Sequence, residues 1–146
     1  MAGRKKQKLE LVWPGKEDRP KLEPRILIED PDKSYHASIR RSESDQFENM
    51  LIKGDNLLAL KALEADYAGK VKCVFIDPPY NTGSAFKHYP DGLEHSIWLS
   101  LIRERLSILW HLLADDGTIW ITIDDNEGHY LKVLCCLLYT SPSPRD

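Results

Sequence analysis

Two stretches of the chain are apolar enough to predict buried strands. Residues 71–80 read VKCVFIDPPY, in which β-branched and aromatic residues end at a pair of prolines. This pattern predicts a strand buried on both faces. Residues 118–123 read TIWITI and predict a second buried strand. Between them, residues 96–113 carry apolar side chains at helical spacing and predict a long helix that Asp116-Gly117 ends.

The chain before residue 71 predicts a similar unit. Residues 50–53 predict a short strand, and residues 56–65 predict a helix with one apolar face. Strand, helix and strand in succession predict parallel pairing through right-handed crossovers. The fold class that follows is α/β.

The N-terminal part predicts little regular structure. Residues 1–8 are basic and predict a solvated tail, with an arm that touches phosphates as the alternative. Residues 9–31 are rich in proline and predict an extended lead-in with an edge strand at residues 26–28. Residues 33–46 show neither helical nor strand periodicity and predict a loop.

The candidate chemistry lies where the 71–80 stretch ends, because ligands of open α/β sheets bind at the carboxyl ends of strands. Asp77 offers a carboxylate acceptor and the Pro78 carbonyl a second one. Two such acceptors can hold the hydrogens of a ring-attached amine such as adenine N6. Pro79 stiffens the turn, and Tyr80 offers a face on which a planar base can stack. The alternative is a proline turn that Asp77 caps, with Tyr80 packed on the surface.

The same residues carry a family resemblance. Asp77-Pro78-Pro79-Tyr80, followed by Asn81-Thr82-Gly83, resembles the catalytic motif of amino-group DNA methyltransferases. Residues 8–135 are similar to the N-terminal part of the modification subunit of type III restriction systems, or to a related site-specific adenine methyltransferase. The resemblance implies a partial Rossmann-like methyltransferase fold that holds only the catalytic half of the sheet.

The resemblance also implies substrate and cofactor. It implies S-adenosylmethionine as methyl donor, duplex DNA as substrate, and transfer to N6 of a flipped-out adenine. Tyr80 and Asn81 would bind the substrate, and Asp55 and Asp77 the cofactor. Asp55 is also placed to cap the helix at residues 56–65. Other amine acceptors (cytosine N4, RNA or a protein glutamine amide) and a non-catalytic DNA-binding or assembly fragment stay open as alternatives.

Two further stretches have an open interpretation. The loop at residues 81–94 contains Phe86, His88 and Tyr89, which either line a pocket for a flipped base or pack on the loop itself. The acidic run at residues 124–127 is a candidate metal site, but an acidic turn at the start of a helix is favoured without an ion. No metal site is therefore predicted.

The last eleven residues, 136–146, read CLLYTSPSPRD and resemble a translated sequencing adapter; a natural polar tail is the alternative. Three segments follow: a tail and lead-in (1–48), the catalytic part of a methyltransferase domain (49–135) and a non-native tail (136–146). No glycine-rich cofactor loop occurs in the sequence, so the chain alone is expected to be inactive. Residues 1–135 alone are expected to fold poorly, because the sheet edge would lack its partner.

Composition limits the partners. The chain has 146 residues, of which 42% are hydrophobic and 29% charged, and its net charge is -3. This charge does not suit a DNA-binding surface, so most phosphate contacts are expected outside this segment. No apolar run reaches membrane-spanning length, which predicts a cytoplasmic protein. Duplex DNA, a restriction subunit and a second copy of the protein are the expected partners.

Overall fold

The computed structural model describes residues 10–35, 39, 42, 49–82 and 93–139. Its regular elements are a 3₁₀ turn (Pro31–Lys33), α1 (Asn56–Tyr67), β1 (Val71–Ile76), α2 (His95–Leu112), β2 (Leu113–Ile121) and α3 (Asp125–Tyr139). β1 and β2 pair in parallel, and α2 lies between them in the chain. The predicted α/β class and the parallel pairing of these two strands are confirmed.

α2 forms the centre of the core. Leu99, Ile102, Leu106 and Leu109 recur every three or four residues and are all buried, so one side of the helix faces inward along its length. Trp98 is buried beside them, with 1% of its surface exposed. The same cluster includes residues from the other elements: Leu57 of α1, Val74 of β1, Leu113 of β2, and Leu131 and Leu134 of α3.

Among the described residues, side chains cover only one face of the sheet, so the prediction of strands buried on both faces is wrong. Val74 is buried, but Phe75 is 69% exposed. Its partner in the register, Trp120, is 62% exposed. Side chains alternate between the faces of a strand, and the described helices pack on the Val74 side. The apolar run therefore reflects one packed face and one open face that carries two aromatic rings.

The predicted helix end at Asp116-Gly117 is also wrong, because both residues lie inside β2. α2 ends at Leu112, where Leu113 adopts an extended backbone and begins β2 directly. The register then shifts between Val71 and Cys73 of β1. A Cβ on Gly117 would lie 2.7 Å from the Val71 carbonyl oxygen, so this glycine permits a close backbone approach at the irregularity.

Two predicted strands do not form. Residues 26–28 and 50–53 have no regular structure, and Ile26, Ile28 and Leu51 are largely exposed. A short apolar run becomes a strand only when a neighbouring strand bonds to it, and the described residues offer these runs none. The first of the two predicted strand-helix-strand units is therefore represented only by α1 and β1.

α3 continues past the boundary predicted at residue 135. It runs to Tyr139, and its last residues, Leu138 and Tyr139, pack against the core. The Tyr139 hydroxyl donates to the Leu106 carbonyl at 3.4 Å. The helix therefore crosses the predicted boundary, and the division at residue 135 and the adapter interpretation of residues 136–146 both stay predictions.

Several predictions concern residues outside those that the structure describes. They are the basic tail (1–8), most of the loop at 33–46, the loop aromatics Phe86, His88 and Tyr89, and the end of the tail (140–146). Of the helices in the described parts of the chain, none has the length and apolar character needed to cross a membrane.

The lead-in is anchored on α2 through Trp13. The indole Nε1 donates to the Ser100 hydroxyl at 2.8 Å. The buried Arg103 guanidinium lies 5.4 Å from the centre of the Trp13 ring and donates to the Lys16 carbonyl. A cation over an aromatic face is attractive, so the contact fixes the lead-in beside the helix.

Replacing Leu106 with alanine should lower the free energy of unfolding by about 2 to 5 kcal/mol, because it leaves a cavity in the centre of the core. Leu106 is 0% exposed, whereas Ile97 on the same helix is 52% exposed. Ile97→Ala is the matched control and should change stability by about 0.5 kcal/mol or less. Urea denaturation of the three proteins measures both values. Equal effects of the two substitutions would contradict the described core.

Candidate active site

The site lies where the two parallel strands end together. Ile76 pairs with Ile121, so Asp77 and Thr122 follow at the same edge of the sheet. The Thr122 amide donates to the Ile76 carbonyl at 3.1 Å, which extends the pairing by one step. The Thr122 hydroxyl then donates to Oδ1 of Asp77 at 2.5 Å. The strand pairing thereby fixes the carboxylate that begins the Asp-Pro-Pro-Tyr motif.

Asp77 is an exposed, ionised acceptor. The hydrogen bond from Thr122, and after it one from Tyr80, lowers the pKa of the Asp77 carboxyl below its ordinary value. Both bonds favour the charged form because a carboxylate accepts them better than a carboxylic acid does. At neutral pH Asp77 therefore presents a negative charge and unused lone pairs to solvent.

The two prolines have different surroundings. Trp98 Nε1 donates to the Pro79 carbonyl at 2.8 Å, and the buried indole thus fixes the second half of the motif. No group in the described part of the chain donates to the Pro78 carbonyl. The carbonyl predicted as the second acceptor is therefore the one left available.

Tyr80 and Asn81 point to different environments. Tyr80 is 37% exposed, which leaves part of its ring accessible. Asn81 has a left-handed backbone (φ 60°) and is 7% exposed. Its side chain accepts from the Leu93 amide at 2.6 Å and donates to the Leu93 carbonyl at 2.8 Å. Asn81 thus joins the two ends of the segment 82–92, and its predicted contact with substrate stays a prediction.

Below the motif, the first turn of α3 supplies further partners. Asn126 Nδ2 donates to the Asn81 carbonyl at 2.6 Å and lies 3.4 Å from the Tyr80 carbonyl. Glu127 is fully buried, and its Oε1 accepts from Asn81 Nδ2 at 2.5 Å. The same oxygen lies 2.8 Å from Nδ1 of His95, the first residue of α2. The end of the motif is therefore connected to the first turns of α2 and α3.

The acidic run at residues 124–127 starts α3, as the sequence predicted. The Asp124 carboxylate accepts from the Asn126 amide at 3.0 Å, and its carbonyl accepts from Gly128. Among the described residues, no three histidine, cysteine, aspartate or glutamate side chains are grouped closely enough to hold a metal ion.

Asp55 caps α1, which was one of its two predicted roles. Its Oδ1 accepts from the amides of Leu57 and Leu58 at 3.0 and 3.1 Å. These amides lack partners within the helix, so the carboxylate satisfies both. Asp55 is exposed, and no described residue donates to its Oδ2, so the predicted contact with the cofactor stays a prediction.

The sequence prediction missed the supporting residues Thr122, Trp98, Asn126 and Glu127. For Thr122 a signal was present: it directly follows the second parallel strand, as Asp77 follows the first. For Trp98 nothing in the sequence spacing indicates a bond to the Pro79 carbonyl. Glu127 was expected only as part of an acidic turn at the start of a helix, whereas it is buried and Asp125 and Asn126 before it are exposed.

The part of the chain that carries this site is similar to known proteins. Residues 71–139 match the family model of DNA methylases (N6_N4_Mtase). The chain is 50% identical over 95 residues to the probable type III restriction-modification enzyme HindVI Mod subunit of Haemophilus influenzae, covering 65% of this chain and 13% of that protein. It is 36% identical over 163 aligned positions to the EcoPI Mod subunit of Escherichia phage P1, covering 89% and 25%.

A more distant relative is the DNA adenine methyltransferase YhdJ of Escherichia coli, 26% identical over 93 residues that cover 64% of this chain and 31% of that protein. The chain spans less than a third of the length of each of these curated relatives. The predicted resemblance to part of a type III modification subunit is confirmed. The family match extends to residue 139, as α3 does.

Thr122→Val should raise the pKa of Asp77, because it removes the larger of the two hydrogen bonds that lower it. Tyr80→Phe should raise it less. Thr118→Val, in the same strand but away from Asp77, is the matched control. A carboxyl-carbon NMR titration of each protein measures the shift. An unchanged midpoint in Thr122→Val would contradict the bond.

The same pKa shift predicts a pH dependence of stability. Because folding lowers the Asp77 pKa, this group stabilises the fold at neutral pH, and its contribution is lost as the pH falls through the acidic range below about 4. Unfolding curves at several pH values should show a steeper acid loss for the parent protein than for Thr122→Val. Parallel pH profiles would count against the assignment.

Asp55→Ala should lower the free energy of unfolding by about 1 kcal/mol, since two helix amides lose their acceptor. Asp55→Asn retains an oxygen acceptor and should lose much less. Urea denaturation measures the capping role. S-adenosylmethionine affinity of the full-length protein, measured by calorimetry, tests the second role: weaker binding in Asp55→Asn, with stability kept, would support cofactor contact.

Proposed function

We propose that this chain, whose residues 71–139 match the family model of DNA methylases, carries the catalytic motif of a site-specific DNA adenine-N6 methyltransferase of a restriction-modification system. The observation that carries the proposal is the pair of acceptors at the end of β1. One is the ionised Asp77 carboxylate held by Thr122. The other is the Pro78 carbonyl, to which no group in the described part of the chain donates.

The proposed chemistry is the orientation of a poor nucleophile. An amine attached to an aromatic ring donates its lone pair into the ring and is weakly nucleophilic. Asp77 and the Pro78 carbonyl would accept its two hydrogens and direct the lone pair toward the methyl carbon. Because its pKa is held low, Asp77 acts as an acceptor that orients the amine and not as a strong base. Most of the rate gain would come from this positioning.

The substrate base would be held outside the duplex. A base in a stacked helix cannot reach a motif at a sheet edge, so the adenine must be flipped out. The accessible part of the Tyr80 ring would stack on it, while Trp98 and Asn126 hold the backbone on either side of Tyr80. The turn that carries these groups is stiff, because both prolines have fixed φ.

The residues of the chain fit S-adenosylmethionine as the methyl donor. The Asp77 carboxylate is exposed and negative, which suits a positively charged group of the cofactor, and Oδ2 of Asp55 suits its adenosine portion. When bound, the cofactor supplies the methyl group as an electrophilic carbon. Further cofactor contacts would come from parts of the longer protein.

Adenine is favoured over the other amine acceptors by one relative named as a DNA adenine methyltransferase. Cytosine N4 is the nearest alternative, and RNA or a protein glutamine amide is the next. Duplex DNA, a restriction subunit and a second copy would be partners of the full-length protein, since the relatives are named as subunits of restriction-modification enzymes. The protein would work in the cytoplasm.

The decisive variant is Asp77→Ala in the full-length protein that contains this chain. Loss of an acceptor that acts on the reacting amine should lower methyl transfer by at least about 100-fold. DNA binding should survive, because Asp77 contributes no positive charge to it. Tritiated methyl transfer to duplex DNA and a gel-shift measurement report the two properties, and nucleoside analysis of the product identifies the methylated base.

Asp66→Ala is the matched control, because Asp66 is an exposed carboxylate in the last turn of α1. It should leave methyl transfer unchanged. Persistent methylation by Asp77→Ala would make the catalytic assignment wrong. If the unchanged full-length protein binds DNA but transfers no methyl group, it is a binding or assembly protein.

A further inference from the structure

One group near the motif is not used by the proposed reaction. Glu127 is 0% exposed, and its carboxylate lies within hydrogen-bond distance of Asn81 and His95. Oε1 has two partners, whereas Oε2 is buried and has none in the described part of the chain. Burying a carboxylate with incomplete hydrogen bonding costs free energy, and an apolar side chain would avoid that cost. Stability alone therefore does not account for Glu127.

What Glu127 does is fix the Asn81 amide. Asn81 Nδ2 donates both to Glu127 Oε1 and to the Leu93 carbonyl, and its Oδ1 accepts from the Leu93 amide. These three bonds use one orientation of the amide group. If Oε1 were absent, Nδ2 would lose an acceptor inside a buried site, and the left-handed backbone of Asn81 would lose one of its anchors.

The backbone that Asn81 fixes begins at Tyr80. Asn126, the residue before Glu127, donates to the Asn81 carbonyl and approaches the Tyr80 carbonyl. Glu127 thus holds the side chain of Asn81 while Asn126 holds its main chain. Both come from the first turn of α3, so this turn holds the backbone that follows Tyr80 from two directions.

We propose that Glu127 is a positioning residue for the methyl-transfer site: through Asn81 it holds Tyr80 where the flipped base stacks. The expected effect on the rate of methyl transfer rests on the proposed function. The hydrogen-bond network around Glu127 does not depend on it. A displacement of about 1 Å of a positioning group costs on the order of 100-fold in rate without a matching loss of binding.

The test uses three neighbouring residues of α3 in the full-length protein. Glu127→Ala removes the acceptor, whereas Glu127→Gln keeps an oxygen for Asn81 and His95. Asn126→Ala removes the hydrogen bond to the Asn81 carbonyl. Because Asn126 is exposed, this variant can still be measured if Glu127→Ala fails to fold. Asp125→Ala is the matched control, since Asp125 is an exposed carboxylate in the same turn.

The kinetic arm measures single-turnover methyl transfer per folded molecule, with DNA and cofactor affinities determined separately. Glu127→Ala and Asn126→Ala should lose up to about 100-fold in rate while both affinities stay close to those of the parent. Glu127→Gln should recover most of the rate, and Asp125→Ala should match the parent. A loss of rate, affinity and thermal stability together, without recovery by glutamine, would reduce Glu127 to a structural role and overturn the proposal.

The second arm needs no activity. Hydrogen exchange followed by mass spectrometry reports the Leu93 amide, which donates to Asn81 Oδ1. Glu127→Ala should speed exchange in peptides that contain Leu93 and leave β1 unchanged, and Glu127→Gln should restore protection. Unchanged exchange in Glu127→Ala would contradict the hydrogen-bond network from Glu127 through Asn81 to Leu93, whether or not methyl transfer is affected. If the parent transfers no methyl group but the exchange pattern holds, the proposed function fails and the network stands.

Discussion

The parallel pairing of β1 with β2 is the interaction on which the rest of the site depends. It places Ile76 beside Ile121, and the next residue of each strand, Asp77 and Thr122, then meet at one edge. A parallel pair requires a crossover, and α2 serves as that crossover and as the centre of the core. The same helix therefore stabilises the fold and, through Trp98, holds the Pro79 carbonyl.

Around this edge the polar groups divide by burial. Asp77 and the Pro78 carbonyl are left available, whereas Asn81 and Glu127 are enclosed and bonded to each other. An exposed carboxylate keeps its charge and can accept from a ligand. A buried one is held in a fixed geometry, because leaving its partner would cost a hydrogen bond without water to replace it. The site thus combines an accessible acceptor with a rigid support.

The two faces of the small sheet show what an apolar sequence pattern predicts and what it does not. Val74 packs into the core, while Phe75 and Trp120 lie side by side on the open face. The sequence of β1 resembles that of a strand buried on both faces, because composition reports which side chains are apolar but not what covers them. The same limit explains residues 26–28 and 50–53, whose apolar runs find no partner strand among the described residues.

What the sequence determined by itself was local or carried by its motif. The periodicity at residues 96–113, the cap at Asp55 and the acidic start of α3 depend on neighbours within a few residues, so they could be predicted. The Asp-Pro-Pro-Tyr motif indicated the family and its catalytic edge. Tertiary structure alone decided that Thr122 donates to Asp77, that Trp98 binds Pro79 and that Glu127 is buried beneath Asn81. These contacts join residues 19 to 46 positions apart, and only the packing of β2, α2 and α3 brings them within hydrogen-bond distance.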